Sequence, residues 1–188
     1  MSLRGKMRAM PVVSPLTVED FEKLPDALAI NHELVDGKLI EVSGNTLAHN
    51  RLRDLLIQLL REYVERHGIG EIVSEQEFDF EGNVYGPDLA LIGADKRPLL
   101  NGELRVQRLV PDLAIEIVSR NDKFEALLKK AKRYRKAGTT EVWIFSIGMR
   151  EADVFTEKGR AVLDENGRFQ TALIPGFSIR IGDLLDRI

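Results

Sequence analysis

The sequence predicts a mixed α+β fold: a central mixed β-sheet flanked by helices, with an N-terminal hairpin and short antiparallel strands at the C-terminus. Three observations carry that reading. Helix-like and strand-like apolar patterns follow one another in the order helix, strands, helix, strand, with no repeat or low-complexity tract between them. Asp36-Gly37 lies between two apolar runs, and a pair that tolerates positive φ in a type I′ turn is a strong hairpin signal. A Pro-Asp dipeptide opens two further apolar runs, Gly86-Pro87-Asp88-Leu89-Ala90-Leu91-Ile92 and Val110-Pro111-Asp112-Leu113-Ala114-Ile115-Glu116-Ile117-Val118. The 188 residues fit one domain, 1–188, long enough to enclose a core without a disulfide or structural metal; 1–16 are expected to be a poorly ordered N-terminal segment.

The elements follow in chain order. Thr17-Val18-Glu19-Asp20 has the form of a capping box and starts a short helix ending near Leu24-Pro25. The hairpin runs through His32-Glu33-Leu34-Val35 and Lys38-Leu39-Ile40-Glu41-Val42; its two-residue turn pairs Glu33 with Ile40, on one sheet face with Val35 and Val42. From about Asn45 to His67, Leu52, Leu55, Leu56, Leu59, Leu60 and Tyr63 recur at helical spacing, and Gly68-Ile69-Gly70 stops the helix. Glu71 to Phe80 reads as one strand, with Gly82-Asn83 as the turn before the first Pro-Asp strand. The polar stretch from Gly93 to Arg108 reads as irregular. After the second Pro-Asp strand, a basic amphipathic helix runs from about Asp122 to Lys136 and is closed by Gly138. Glu141 to Ser146 is a short apolar strand. Ala152 to Phe155, Ala161 to Leu163, Thr171 to Ile174 and Phe177 to Ile181 read as antiparallel strands before a terminal turn of helix.

Composition narrows the chemistry. The chain has no cysteine, which removes disulfides and thiolate sites, and its three histidines (His32, His49, His67) are too scattered for a histidine-rich cage. A metal here is a hard cation on oxygen ligands, magnesium or manganese before zinc. No stretch is apolar for long enough to be a signal peptide or a membrane span, so a soluble cytoplasmic protein is expected. A formal net charge of −3 excludes an indiscriminate nucleic-acid coat protein but leaves room for a local basic patch.

Alternation along the second Pro-Asp strand points Asp112, Ala114, Glu116 and Val118 to one face, and Asp88, Ala90 and Ile92 share a face of the first. If the strands are neighbours, Asp88 and Glu116 converge at one end of the sheet, while Asp112 only opens its strand. Burying a lone carboxylate costs several kcal/mol and two together repel, so a divalent metal or a buried Arg or Lys must balance them. The following helix offers cations. Its apolar face is Phe124, Leu127, Leu128, Ala131 and Tyr134; Lys129, Arg133 and Lys136 fall on the opposite, solvated face. Lys123 and Lys130 lie on one edge of the apolar face, where each either reaches over the sheet end or snorkels to solvent.

Taken in order, Glu33-Leu34-Val35-Asp36-Gly37, His49 at the head of a long helix, Pro87-Asp88, Pro111 through Ser119, Lys130 four residues before Tyr134, Ala137-Gly138 and Glu141-Val142-Trp143 resemble the Uma family of putative restriction endonucleases, within the PD-(D/E)XK nuclease-like superfamily. The resemblance runs from about Thr17 to Phe155. It implies a restriction-endonuclease-like core and a Mg²⁺- (or Mn²⁺-) dependent phosphodiesterase acting on DNA, with Asp88 and Glu116 as metal-holding acids. Glu33 matches an acidic position that helps hold metal or water; its alternative is a hairpin glutamate paired with a cation. The superfamily's lysine, two residues after the glutamate, is Val118 here. Lys130 matches a lysine supplied from the following helix, with Lys123 as the fallback.

The resulting expectation has three parts. Asp88, Glu116 and the Ile117 carbonyl hold Mg²⁺; Lys130 orients a water or stabilises charge on phosphorus; Lys129, Lys132, Arg133, Arg135 and Lys136 contact a nucleic-acid backbone or form a solvated face. His49 is a core or capping residue, a phosphate contact or a proton carrier. An enzyme that cuts both strands of a duplex is expected as a homodimer. The competing expectation is a nuclease-like fold without catalysis that binds nucleic acid or protein, favoured by Val118 and the acidic net charge.

Overall fold

A computed structural model describes residues 14–42, 44–119 and 123–188. The segment expected to be poorly ordered, 1–16, therefore lies outside the described residues except for 14–16, where the Leu16 N–H donates to the Gly37 carbonyl at 2.9 Å. Asp122, expected at the start of the basic helix, also lies outside them.

Two short helices, α1 (Val18–Glu22) and α2 (Asp26–Ala29), precede the hairpin β1 (His32–Val35) and β2 (Lys38–Glu41). Thr17 caps α1 as a full capping box, reciprocated by Asp20. Asp36 and Gly37 take φ of 49° and 74°, the left-handed pair that a type I′ turn requires, and Glu33 pairs with Ile40. The long helix α3 (Leu47–Arg66) is capped by Thr46, whose hydroxyl accepts from the His49 N–H.

The expected strand over Glu71 to Phe80 is two strands, β3 (Gly70–Ser74) and β4 (Glu77–Phe80). Glu75 breaks it with φ of 53°, because the halves serve different sheets. Nor is Asn83 only a turn residue: β5 (Asn83–Tyr85) pairs back on β4. The first Pro-Asp strand is β6 (Leu89–Gly93). The stretch expected to be irregular holds a 3₁₀ turn (Arg97–Leu99) and the two-residue β7 (Val106–Gln107), parallel to β4. The second Pro-Asp strand is β8 (Leu113–Ile117), followed by α4 (Phe124–Ala137), which Gly138 closes at φ of 114°. The C-terminal part contains β9 (Glu141–Ser146), β10 (Glu151–Thr156), β11 (Gly159–Leu163), β12 (Arg168–Phe169), β13 (Ile179–Arg180) and α5 (Ile181–Leu185). Thr171 to Ile174 is a turn, not a strand: the Thr171 hydroxyl accepts from the Leu173 N–H, and the Ile174 N–H returns to the Thr171 carbonyl.

The larger sheet has the order β11-β10-β9-β8-β6-β3, with β8 and β9 parallel and the other pairs antiparallel. On one face α3, α5 and the 169–181 region close a core around Leu56, Leu60, Leu113, Ile115, Trp143 and Phe145. On the other, α4 packs with Phe78, Phe80 and Tyr85 of the smaller sheet, β2-β1-β5-β4-β7. A cleft of about 1130 Å³ opens between the hairpin, α4 and the ends of β6 and β8. No described helix is long and apolar enough to cross a membrane.

Gly70 is needed where β3 meets β6. It pairs with Gly93, and a Cβ there would stand 2.1 Å from the Ile92 carbonyl oxygen. Gly70→Ala is expected to cost about 1–3 kcal/mol in chemical denaturation. Gly44→Ala, where nothing lies within 4 Å, provides the matched control.

Candidate active site

The β6–β8 register fixes the two acids. Leu89 pairs with Ile115 and Ala90 with Ala114, so one step further sets Asp88 opposite Glu116. The preceding residue, Pro87, has no N–H for the ladder. Asp88 instead reaches across: its Oδ2 accepts the Ile117 N–H at 2.7 Å. From the opposite side the His49 Nε2 of α3 stands 3.1 Å from Oδ1 and 3.2 Å from Oδ2. His49 is thus both buried and polar in function, a helix-borne brace on Asp88.

Glu116 is the charged residue of a strand that is buried throughout. The Tyr134 hydroxyl donates to its Oε1 at 2.7 Å, and the Lys130 ammonium lies 3.1 Å from the same oxygen. Lys130 also reaches Glu33 Oε1 at 2.6 Å. One ammonium from α4 therefore bridges a strand of the larger sheet and the hairpin of the smaller one. Lys130 and Tyr134 are four residues apart, on one face of their helix, so both converge on Glu116. Both aromatic faces nearby, Tyr85 and Tyr134, lie within 6 Å of Nζ, at 5.5 and 5.9 Å.

The electrostatics are those of several acids sharing one ammonium. Burial pushes the Glu116 carboxyl up to about 7; Lys130 and the Tyr134 hydrogen bond oppose this, while Asp88 and Glu33 reinforce it. Burial works against the Lys130 ammonium, but Glu116 and Glu33 outweigh it and raise its pKa, so it stays charged. Burial, then Glu116, lifts the Tyr134 phenol well above its ordinary value, which keeps it a donor. For His49, burial disfavours the charged form, yet Asp88 holds its pKa above the ordinary value.

The donor set fits a hard cation. Asp88, Glu116 and Ile117 line the cleft together. Both contacts to Glu116 fall on Oε1, and no described residue donates a hydrogen bond to Oε2. Among the described residues no three His, Asp or Glu gather into an all-protein cage. Two carboxylates completed by waters and substrate oxygens is the usual arrangement for Mg²⁺.

The other predicted residues fall as follows. Glu33 is the hairpin glutamate paired with a cation, Lys130. Lys123 stands exposed at the N-cap of α4 and lines the cleft, with no ion pair to either carboxylate. Asp112 opens its strand, bound to the Gly93 N–H at 2.8 Å and Lys96 at 2.6 Å. Arg133 is not on a solvated face: its guanidinium binds Tyr85 at 2.5 Å and Asp36 at 2.7 Å. In the helical pattern Tyr134 belongs only to the apolar face. Its spacing from Lys130 was the available signal for a hydroxyl at Glu116.

The raised Glu116 pKa has a consequence for stability. Between its ordinary 4.5 and about 7 the folded protein keeps a proton that the unfolded chain has lost, so stability falls as pH rises. The loss is on the order of 3 kcal/mol. His49 adds a fall of the same sign above its ordinary 6.5. In EDTA, denaturation of Glu116→Gln is expected to show a flatter pH profile from 4.5 to 6.5 than the wild type.

A solved structure shares this architecture. A putative nuclease of the DUF820 group from Anabaena variabilis superposes with a TM-score of 0.82 at 22% identity, over 92% of this chain and 98% of that one. The DrdV–DNA complex aligns with a TM-score of 0.38 at 15% identity, over 74% of this chain and 13% of that one. No curated protein matches the chain. The first superposition identifies the fold as the restriction-endonuclease-like one. The family model described as "Putative restriction endonuclease" matches residues 18–182, and the chain belongs to that family, Uma2.

Proposed function

We propose that the protein is a Mg²⁺- (or Mn²⁺-) dependent endonuclease that hydrolyses phosphodiester bonds of DNA in the cleft at Asp88 and Glu116. The observation that carries this reading is Lys130, whose Nζ lies 3.1 Å from Glu116 and meets the site that Val118 leaves without a strand lysine. A divalent cation on Asp88 and Glu116 would polarise the scissile phosphate and lower the pKa of a bound water.

The chain's own residues do the rest. Asp88 is held by the Ile117 N–H and His49, so its carboxylate meets the substrate already oriented. Tyr134 engages one oxygen of Glu116 and leaves the other for the cleft. Lys130, kept protonated by its carboxylate neighbours, serves as a donor that orients a water or stabilises charge on phosphorus. A group whose pKa is raised is a poor proton acceptor at neutral pH, so Lys130 is not the general base. Glu33 anchors the ammonium from the hairpin side. If the substrate is a duplex cut on both strands, a homodimer would supply the two sites.

A second reading rests on Val118 and on the double engagement of Lys130: a nuclease-like fold without turnover that binds nucleic acid. Plasmid cleavage with Mg²⁺ or Mn²⁺ separates the two. Wild type is expected to cut, and Asp88→Ala to lose at least ~100-fold. Activity that survives this substitution would belong to another site or a contaminant. Lys130→Ala is expected to lose turnover by ~100-fold while metal binding, read by calorimetry, persists. Lys123→Ala should cut normally; the reverse pattern would move the role to Lys123.

A further inference from the structure

The cleft continues past the carboxylates onto an apolar rim. Strand pairing sets Ile40 directly opposite Glu33, so the two are cross-strand neighbours on one sheet face. Glu33 turns to Lys130, whereas Ile40, on the edge strand, lines the open cleft and is 45% exposed. Ile30 and Val42 line the same rim at 60% and 37% exposure. These three are among the eight large apolar side chains exposed in the described residues, and a cluster of that kind beside a cleft marks a contact surface.

The charge around the cleft points the same way. Its described lining holds seven Asp and Glu against five Lys and Arg. Four of these cations are already engaged: Lys129 by Glu125, Lys130 by Glu33 and Glu116, Arg133 by Asp36, and Arg105 by Glu77. Lys123 has no ion pair among the described residues. On the rest of α4, Arg135 is spent on the Thr139 and Thr140 carbonyls and Lys136 on Glu81, while the exposed Lys132 has no ion pair among the described residues. Tight duplex binding draws on roughly six to ten phosphate contacts, most of which would here compete with an intramolecular partner. An unpaired strand needs fewer, because its exposed base faces bury apolar surface.

Resting on the phosphodiesterase reading above, we infer that the cleft takes an unpaired DNA strand in preference to intact duplex. A base lies against Ile30, Ile40 and Val42 while the adjoining phosphate faces Asp88 and Glu116.

The test is binding of a labelled DNA strand of about 20 nucleotides and of its duplex, with Ca²⁺ in place of Mg²⁺ to hold the substrate uncut. The strand is expected to bind at least ~10-fold more tightly, with a log–log salt slope no steeper than about −2, against about −5 or beyond for a protein tracking duplex phosphates. Ile40→Ser and Val42→Ser are each expected to weaken strand binding roughly 5-fold. Both should leave hydrolysis of bis(p-nitrophenyl) phosphate with Mn²⁺ unchanged. Duplex bound as tightly as the strand, a strand affinity indifferent to both substitutions, or no binding of either DNA would overturn the inference. Hydrolysis of the small diester identifies what has failed. If wild type hydrolyses it and Asp88→Ala does not, those results remove the strand preference alone; if neither does, the catalytic reading falls with it.

Discussion

A buried ammonium between two carboxylates is the contact on which the cleft is built. Lys130 joins α4, the centre of the larger sheet through Glu116, and the hairpin of the smaller sheet through Glu33. Among the described residues no backbone ladder links the two sheets, whose strand orders are separate. Their relation rests on apolar packing around Phe80, Tyr85 and Tyr134 and on this ionic bridge. Removing the ammonium would leave two desolvated acids facing each other, so the helix, the hairpin and the strand end are held in mutual register by charge.

Stability alone gives little reason to keep such a cluster. A buried ion pair is often no better than apolar residues of the same volume, and Glu116 sits where a valine or leucine would complete an entirely apolar strand. Its burial pushes its carboxyl up to about 7, a standing cost in the metal-free protein at neutral pH. A divalent cation held by Glu116 and Asp88 would relieve that cost. Repulsion that metal relieves is a reason for the fold to tolerate two acids at one sheet end.

Features set by short-range pattern were legible in the sequence. The Asp-Gly turn sets the Glu33–Ile40 pairing, and alternation along the Pro-Asp runs brings Asp88 opposite Glu116. The Lys130–Tyr134 interval places the ammonium on the correct edge of α4. Features set by distant partners were not. β4 and β7 join residues nearly thirty positions apart through two pairings, which leaves no local periodicity to read. Tyr134 scored as apolar because helical patterning weighs its ring and ignores its hydroxyl. Arg133 fell on the polar side of the helical wheel, but the smaller sheet lies over that side and supplies Asp36 and Tyr85.

Moving the lysine from strand to helix changes what the site senses. A strand lysine at position 118 would be fixed by the larger sheet alone. Lys130 instead depends on Glu33, and Glu33 stands on the hairpin beside Ile40. The apolar rim and the anchor of the ammonium therefore share one hairpin. Ile40 on the rim and the carboxylate of Glu116 are separated by two residues, Glu33 and Lys130, linked in turn by strand pairing and ion pairs. The departure at Val118 thus does more than relocate a positive charge: it ties the acid at the sheet end to the hairpin that bears the apolar rim.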